Sequence, residues 1–134
     1  MDFTKEVQNC KLFASMNKEF TYIGAPKIYD EYTYKEFFVM EYIDGVIISD
    51  TAKLTELGYD LHEIGEKLSN NFLVQIVNKG MFHADPHPGN ILIRDGKIIW
   101  IDFGTVGFIS KYDRTIYKRA IVAFINQDAC FLMS

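Results

Sequence analysis

Asp95-Gly96 lies between two apolar runs, Ile91-Leu92-Ile93 and Ile98-Ile99-Trp100, and is the strongest local constraint on how this chain folds. Both central positions of a two-residue type I′ turn need positive φ, which Gly adopts freely and Asp tolerates. The string ILIRDGKIIWID therefore predicts a tight β-hairpin. Counting outward from the turn pairs Arg94 with Lys97 and brings Asn90 opposite Ile101, beside Asp102. The preceding loop, HADPHPGN at 83–90, can fold over that open end. Asp85, Asn90 and Asp102 are thus expected to converge on one small volume, where three oxygen-bearing side chains suit a hard divalent cation and a phosphate.

The spacing narrows this chemistry. Asp85 and Asn90 stand five residues apart and Asp102-Phe103-Gly104 follows, the order of the H-R-D-x-x-x-x-N loop and DFG of protein kinases. In such a loop the Asp orients or deprotonates the attacking hydroxyl or water. The Asn holds a Mg²⁺, and the DFG Asp bridges metal to phosphates. Two other readings compete. Asp85 and Asn90 could merely cap turns while Asp102 ends a strand. Alternatively His83, Asp85 and His87 could chelate a transition metal, although Pro86 and Pro88 restrict that geometry and no further His or Cys is close in sequence. His83 reads as a core histidine supporting the loop, His87 as a hydrogen-bonding brace, and His62 as a surface residue.

Elsewhere the patterning predicts an α+β domain. Phe3, Val7, Cys10, Phe13 and Ala14 recur at helical spacing from Asp2, a potential cap, to about Phe20. PKIYDEY and KEFFVMEYI predict an antiparallel strand pair, after which DGVIIS is expected to leave the sheet. Asp50 starts a short helix that Gly58 closes. Asp60 and Glu63 form a capping box ahead of Leu61, Ile64, Leu68, Phe72, Ile76 and Val77, with Gly80 as C-cap. Ser110 and Asp113 cap a last helix bearing Ile116, Ala120, Ile121 and Phe124, with a second helical start near Asp128.

At 134 residues and 49% hydrophobic, the chain supports one domain with a real core. Its net charge of −4, with no basic run, argues against nucleic-acid binding. Cys10 and Cys130, lacking CxxC spacing, fit buried thiols in a reducing compartment. No signal peptide or membrane span is recognisable, so a cytoplasmic or peripheral membrane location is expected.

FHADPHPGNILI followed by IDFG resembles the UbiB/ADCK family of atypical protein-kinase-like proteins. The likeness extends along nearly the whole chain. DFTKEVQN looks like that family's helix carrying a Glu and an Asn, FFVMEYIDG like its hinge, and FINQD like the segment after DFG. The resemblance implies a mostly helical protein-kinase-like C-terminal lobe (44–134) containing the catalytic-loop hairpin, with an N-terminal-lobe remnant and hinge (1–43). It also implies ATP and Mg²⁺ as ligands, with catalytic Asp85, metal-binding Asn90 and Asp102, Met40, Glu41 and Tyr42 along the adenine site, and Glu6 facing a nucleotide-binding lysine. Family members support ubiquinone or related isoprenoid-lipid metabolism, in mitochondria or plastids where eukaryotic. They associate with membranes and behave more as ATPases than as protein kinases.

The chain departs from that pattern in having no glycine- or alanine-rich phosphate loop and no strand lysine ahead of Glu6. Lys5, Lys11, Lys18 and Lys27 do not take that place. The expectation is a partial domain, lacking an N-terminal segment, with weak nucleotide binding and little turnover alone. Two alternatives stand beside it: a non-catalytic pseudokinase-like binding fragment, and a small-molecule phosphotransferase of the aminoglycoside or choline kinase type.

Overall fold

In chain order the computed structural model runs α1 (Thr4–Met16), β1 (Ile23–Gly24), β2 (Ile28–Tyr29), β3 (Val39–Met40), β4 (Val46–Ile47), α2 (Thr51–Glu56), α3 (Leu61–Val74), β5 (Met81–His83), β6 (Ile91–Arg94), β7 (Lys97–Trp100), β8 (Val106–Phe108) and α4 (Lys111–Met133). It describes residues 3–85 and 87–133, with side chains to residue 123. The architecture mixes helix and strand, as expected.

The hairpin has the register its turn demands. Asp95 (φ 52°) and Gly96 (φ 77°) take the positive-φ positions, and the ladder runs from Arg94–Lys97 to Ile91–Trp100. β1 joins β7 in parallel and β4 joins β6 antiparallel, giving a sheet ordered β1-β7-β6-β4. DGVIIS leaves the β2–β3 pair as expected, and Val46 and Ile47 then join this other sheet, pairing with Ile93 and Leu92, while the Ile48 amide donates to the Ile91 carbonyl at 3.0 Å. The free edge of β6 would otherwise carry unpaired backbone groups, and β-branched side chains fit its pleat. β2 and β3 form the expected antiparallel pair, Ile28 opposite Met40 and Tyr29 opposite Val39.

The helix boundaries follow their caps. α1 stops at Met16 rather than near Phe20, because the Asn17 amide N–H and Nδ2 both donate to the Phe13 carbonyl (3.0 and 2.9 Å) and close the last turn. Its buried face holds Val7, Cys10 and Phe13 as predicted, whereas Ala14 is exposed; the proposed Asp2 cap lies outside the described residues. Asp50 accepts from Lys53 N at the start of α2, and Gly58 closes that turn at φ 90°. Asp60 accepts from the amides of His62 and Glu63 to start α3. Leu61, assigned to the apolar face, is exposed. Beyond Val74 the helix widens into a π turn over Gln75–Lys79, closed by Gly80 at φ 72°.

Ser110 Oγ accepts from Asp113 N to start α4. The second helical start near Asp128 is not a separate one, since α4 runs on to Met133 with no Gly or Pro to interrupt it. Ile116 and Ala120 on α4 are exposed, while the side chains of Phe124 and Cys130 lie outside those described. The core gathers where α1, α3 and the hairpin meet: Phe13, Leu54, Met81, Ile98 and Trp100 are fully buried, and so are three polar side chains, Asn71, Gln75 and His83.

Candidate functional site

His83 supports the loop from inside the core. Its ring packs against Trp100 (centroids 5.1 Å apart) and Phe103 (5.3 Å), and Nε2 lies 2.8 Å from the Ile101 carbonyl. A carbonyl only accepts, so Nε2 carries the proton and Nδ1 accepts from the Asp85 amide at 3.2 Å. With both ring nitrogens engaged, His83 has no lone pair for a metal. Among the described residues no three His, Cys, Asp or Glu side chains gather as a metal cluster. The transition-metal alternative therefore finds no support. His87 braces the loop as expected, Nδ1 accepting from Gly89 N at 3.0 Å, and His62 is a surface residue paired with Glu66.

The main chain of Asp85 is held on both sides. His83 accepts from its N–H, and Asn90 Nδ2 donates to its carbonyl at 3.0 Å, which leaves the exposed Asp85 carboxylate facing outward. Asn90 is in turn tied across the open end of the hairpin by Ile101 N donating to its carbonyl at 2.9 Å, one residue before Asp102. Hairpin register thus brings Asn90 beside both Asp85 and the Asp102 segment. Asp102 has φ 60°, left-handed backbone that no turn at this position requires, and its Oδ1 accepts from Gly104 N at 3.3 Å.

Glu6 on α1 arrives at the same place. A Cβ built on Gly104 would sit 3.3 Å from Asp102 Oδ1 and 3.9 Å from Glu6 Oε2, so the bare glycine keeps open a cradle beside two carboxylates. Burial and then the Asp102 charge push the Glu6 carboxyl above its ordinary value, only partly offset by the hydrogen bond from the Phe103 backbone. Among the described residues no Lys or Arg forms an ion pair with Glu6. Asn9, on the same helix, donates to the Phe103 carbonyl at 3.1 Å and fixes α1 to the DFG segment.

Met40, Glu41 and Tyr42 lie at the end of β3. Glu41 N donates to Lys27 O at 2.7 Å, while its carboxylate accepts from Lys27 N and from Arg94 of the hairpin. Its side chain is thereby committed to holding this segment. Met40 is exposed and Tyr42 is 86% exposed.

The domain model that matches residues 1–133 is the ABC1 atypical kinase-like domain. The chain belongs to the ABC1 atypical kinase-like family. A Clostridium pasteurianum protein named for its position in the hydrogenase 1 5′ region is 39% identical over 134 residues, covering all of this chain and 25% of the relative. A chloroplastic Arabidopsis thaliana protein, activity of BC1 complex kinase 8, is 43% identical over 131 residues, 96% of this chain and 17% of that one. The probable protein kinase UbiB of Haemophilus ducreyi is 34% identical over 135 residues, 96% and 24% respectively. The chain spans a quarter or less of the length of these relatives.

For an ABC1-family chain the donor set fits magnesium. Asp102 supplies a carboxylate and Asn90 an amide oxygen, its Nδ2 being engaged elsewhere. Mg²⁺ is commonly held by one or two such groups, with phosphates and water completing the octahedron. The burial of Glu6, with the Asp102 charge beside it, has a consequence for stability. A raised carboxyl value means that the folded state binds the proton more tightly than the unfolded chain. The Glu6 contribution is then fully present below the ordinary Glu range and lost as pH rises through the folded-state value. Glu6→Gln should therefore raise Tm at neutral pH, the gain closing on acidification. A Tm difference that stays constant across a pH series of thermal melts would contradict the assignment.

Sequence patterning missed the buried amides behind this cluster. Asn17, Asn71 and Gln75 are buried, and Asn71 and Gln75 stand at i, i+4 beside the apolar stripe of Leu68, Phe72 and Ile76. A repeated polar interruption of an apolar face was the available signal. Cys10 is the buried thiol expected: desolvation, with Glu6 nearby, pushes it up to about 11, and Sγ donates to the Pro26 carbonyl. No helix among the described residues is long and apolar enough to cross a membrane.

Proposed function

We propose that this chain carries the metal- and phosphate-handling part of an ATP- and Mg²⁺-dependent kinase-like or ATPase site. In this reading Asp85, its main chain pinned on both sides, directs its carboxylate at the attacking hydroxyl or water. Asn90 and Asp102 hold the metal, and the Met40–Tyr42 segment borders the adenine. Magnesium, when bound, would offset charge developing on the transferred phosphoryl group. Glu6 would pair with a nucleotide-binding lysine, as the family pattern implies. On that division 1–43 is a lobe remnant with its hinge and 44–134 a C-terminal-lobe portion. A link to ubiquinone or isoprenoid-lipid metabolism, with a lipid or membrane surface as partner, rests on the UbiB resemblance alone.

The supporting observation is the cradle at Gly104. Two carboxylates flank the one glycine, Asp102 Oδ1 and Glu6 Oε2 lying 3.3 and 3.9 Å from where its Cβ would be, a like-charge neighbourhood that a cation would relieve. Calorimetric titration with ATP, with and without Mg²⁺, tests it. Binding is expected to be weak and Mg²⁺-dependent, and Asp102→Asn should lower it about tenfold or more. Equal affinity for the two chains would remove Asp102 from the metal site. Turnover is expected only when an upstream lysine-bearing segment is restored.

One observation favours a second reading, a non-catalytic binding fragment: Tyr112, Ile116, Tyr117 and Val122 on α4 are all exposed. Activity that appears on restoring the upstream segment would reject it.

A further inference from the structure

In β5, a strand of three residues, His83 stands opposite Val106 of β8, and the next amide, Ala84 N, donates to the Thr105 carbonyl. Antiparallel ladders alternate, so the His83 N–H points away from β8. It points into the core, where His83 is 0% exposed. Left alone, that amide would be a buried orphan two residues before Asp85. Gln75 Oε1 accepts from it at 3.0 Å, while Gln75 Nε2 donates to Asn71 Oδ1 at 2.7 Å. Asn71 Nδ2 continues to Asn17 Oδ1 at 2.9 Å, and Asn17 closes α1, the helix that carries Glu6. A second feature marks the same residue: Gln75 opens the π turn, its carbonyl accepting from Gly80 N at 2.9 Å. Such turns are rare and concentrate at functional sites.

We propose that Gln75 is a positioning residue that sets the Asp85 loop against α1, through a buried amide chain running Asn17–Asn71–Gln75–His83. Its side chain is the single link in that chain between helix and loop. A hydrophobic residue of similar length would fill its space but leave the His83 N–H and one Asn71 lone pair without partners. The loop would then lose its tie to the amide chain, keeping its bonds to Ile101, Thr105 and Asn90, while the hairpin kept its own ladder. The consequence for phosphoryl transfer rests on the function proposed above; the positioning itself does not.

Amide hydrogen exchange on the whole chain tests this, comparing wild type with Gln75→Met and Gln75→Glu under conditions where all three are folded. Gln75→Met should lower protection at residues 83–85 by about tenfold to a hundredfold, with the hairpin amides of 91–100 unchanged. In Gln75→Glu the carboxyl accepts from the His83 amide whether ionised or not and loses only the donor to Asn71 Oδ1, so protection at 83–85 should stay near wild type and well above that of Gln75→Met. Protection falling equally at 83–85 and 91–100 in Gln75→Met would mean a general loss of stability and overturn the proposal, as would no change at 83–85. Titration of the same proteins with Mg-ATP separates the two readings. If wild type binds no nucleotide while the exchange pattern appears, the functional reading fails and the positioning role stands.

Discussion

Trp100→Ala is expected to cost about 4–5 kcal/mol of folding stability, a large share of the ~5–15 kcal/mol that a domain possesses. Trp100 ends the hairpin at 1% exposure and is the point where three elements touch. Its ring stacks on Phe72 of α3 (centroids 6.3 Å), meets the edge of Phe13 of α1 (6.1 Å) and flanks His83 (5.1 Å). Truncation opens a cavity between helices that the backbone of a paired strand cannot collapse to fill. It also removes the Nε1 donor, which reaches Asn71 Oδ1 at 3.1 Å. Trp100→Phe separates the two losses, because it keeps most of the packing and should cost only about 1–2 kcal/mol. Urea unfolding of the two variants gives the comparison. A Trp100→Ala loss no larger than that of Trp100→Phe would mean that the aromatic cluster contributes little.

The parts of this fold legible in the sequence are those fixed by local chemistry. Asp95-Gly96 determines a turn type, the turn determines the register, and the register alone puts Asn90 beside Asp102. Asp50, Asp60 and Ser110 start helices through hydrogen bonds spanning two or three residues, and each cap was readable for that reason. What escaped depends on contacts distant in the chain. DGVIIS carries no local sign that β6 has a vacant edge some 45 residues later. Nor does the end of α1 announce itself in the apolar pattern, since it depends on one asparagine folding back on Phe13. The two carboxylates at Gly104 are 96 residues apart in sequence, and the family resemblance, rather than any spacing, pointed to Glu6.

The buried amides were the least legible and carry the second large effect. Asn71→Leu should cost about 3–5 kcal/mol, although it places an apolar residue of similar size in a fully buried position. Asn71 makes three hydrogen bonds there: its Oδ1 accepts from Gln75 Nε2 and Trp100 Nε1, and its Nδ2 donates to Asn17 Oδ1. Transfer alone would favour Leu. The partners decide the sign, because two donors and one acceptor are left among buried side chains, and each such orphan costs about 1–3 kcal/mol, less than additively within one network. Combining Asn71→Leu with Trp100→Phe tests this, since the indole donor is then absent and cannot be orphaned. The double variant should be less destabilised than the sum of the singles by about 1 kcal/mol. Strict additivity would show that the Asn71–Trp100 hydrogen bond contributes nothing, and a stabilising Asn71→Leu would show that the core prefers packing to its amide chain.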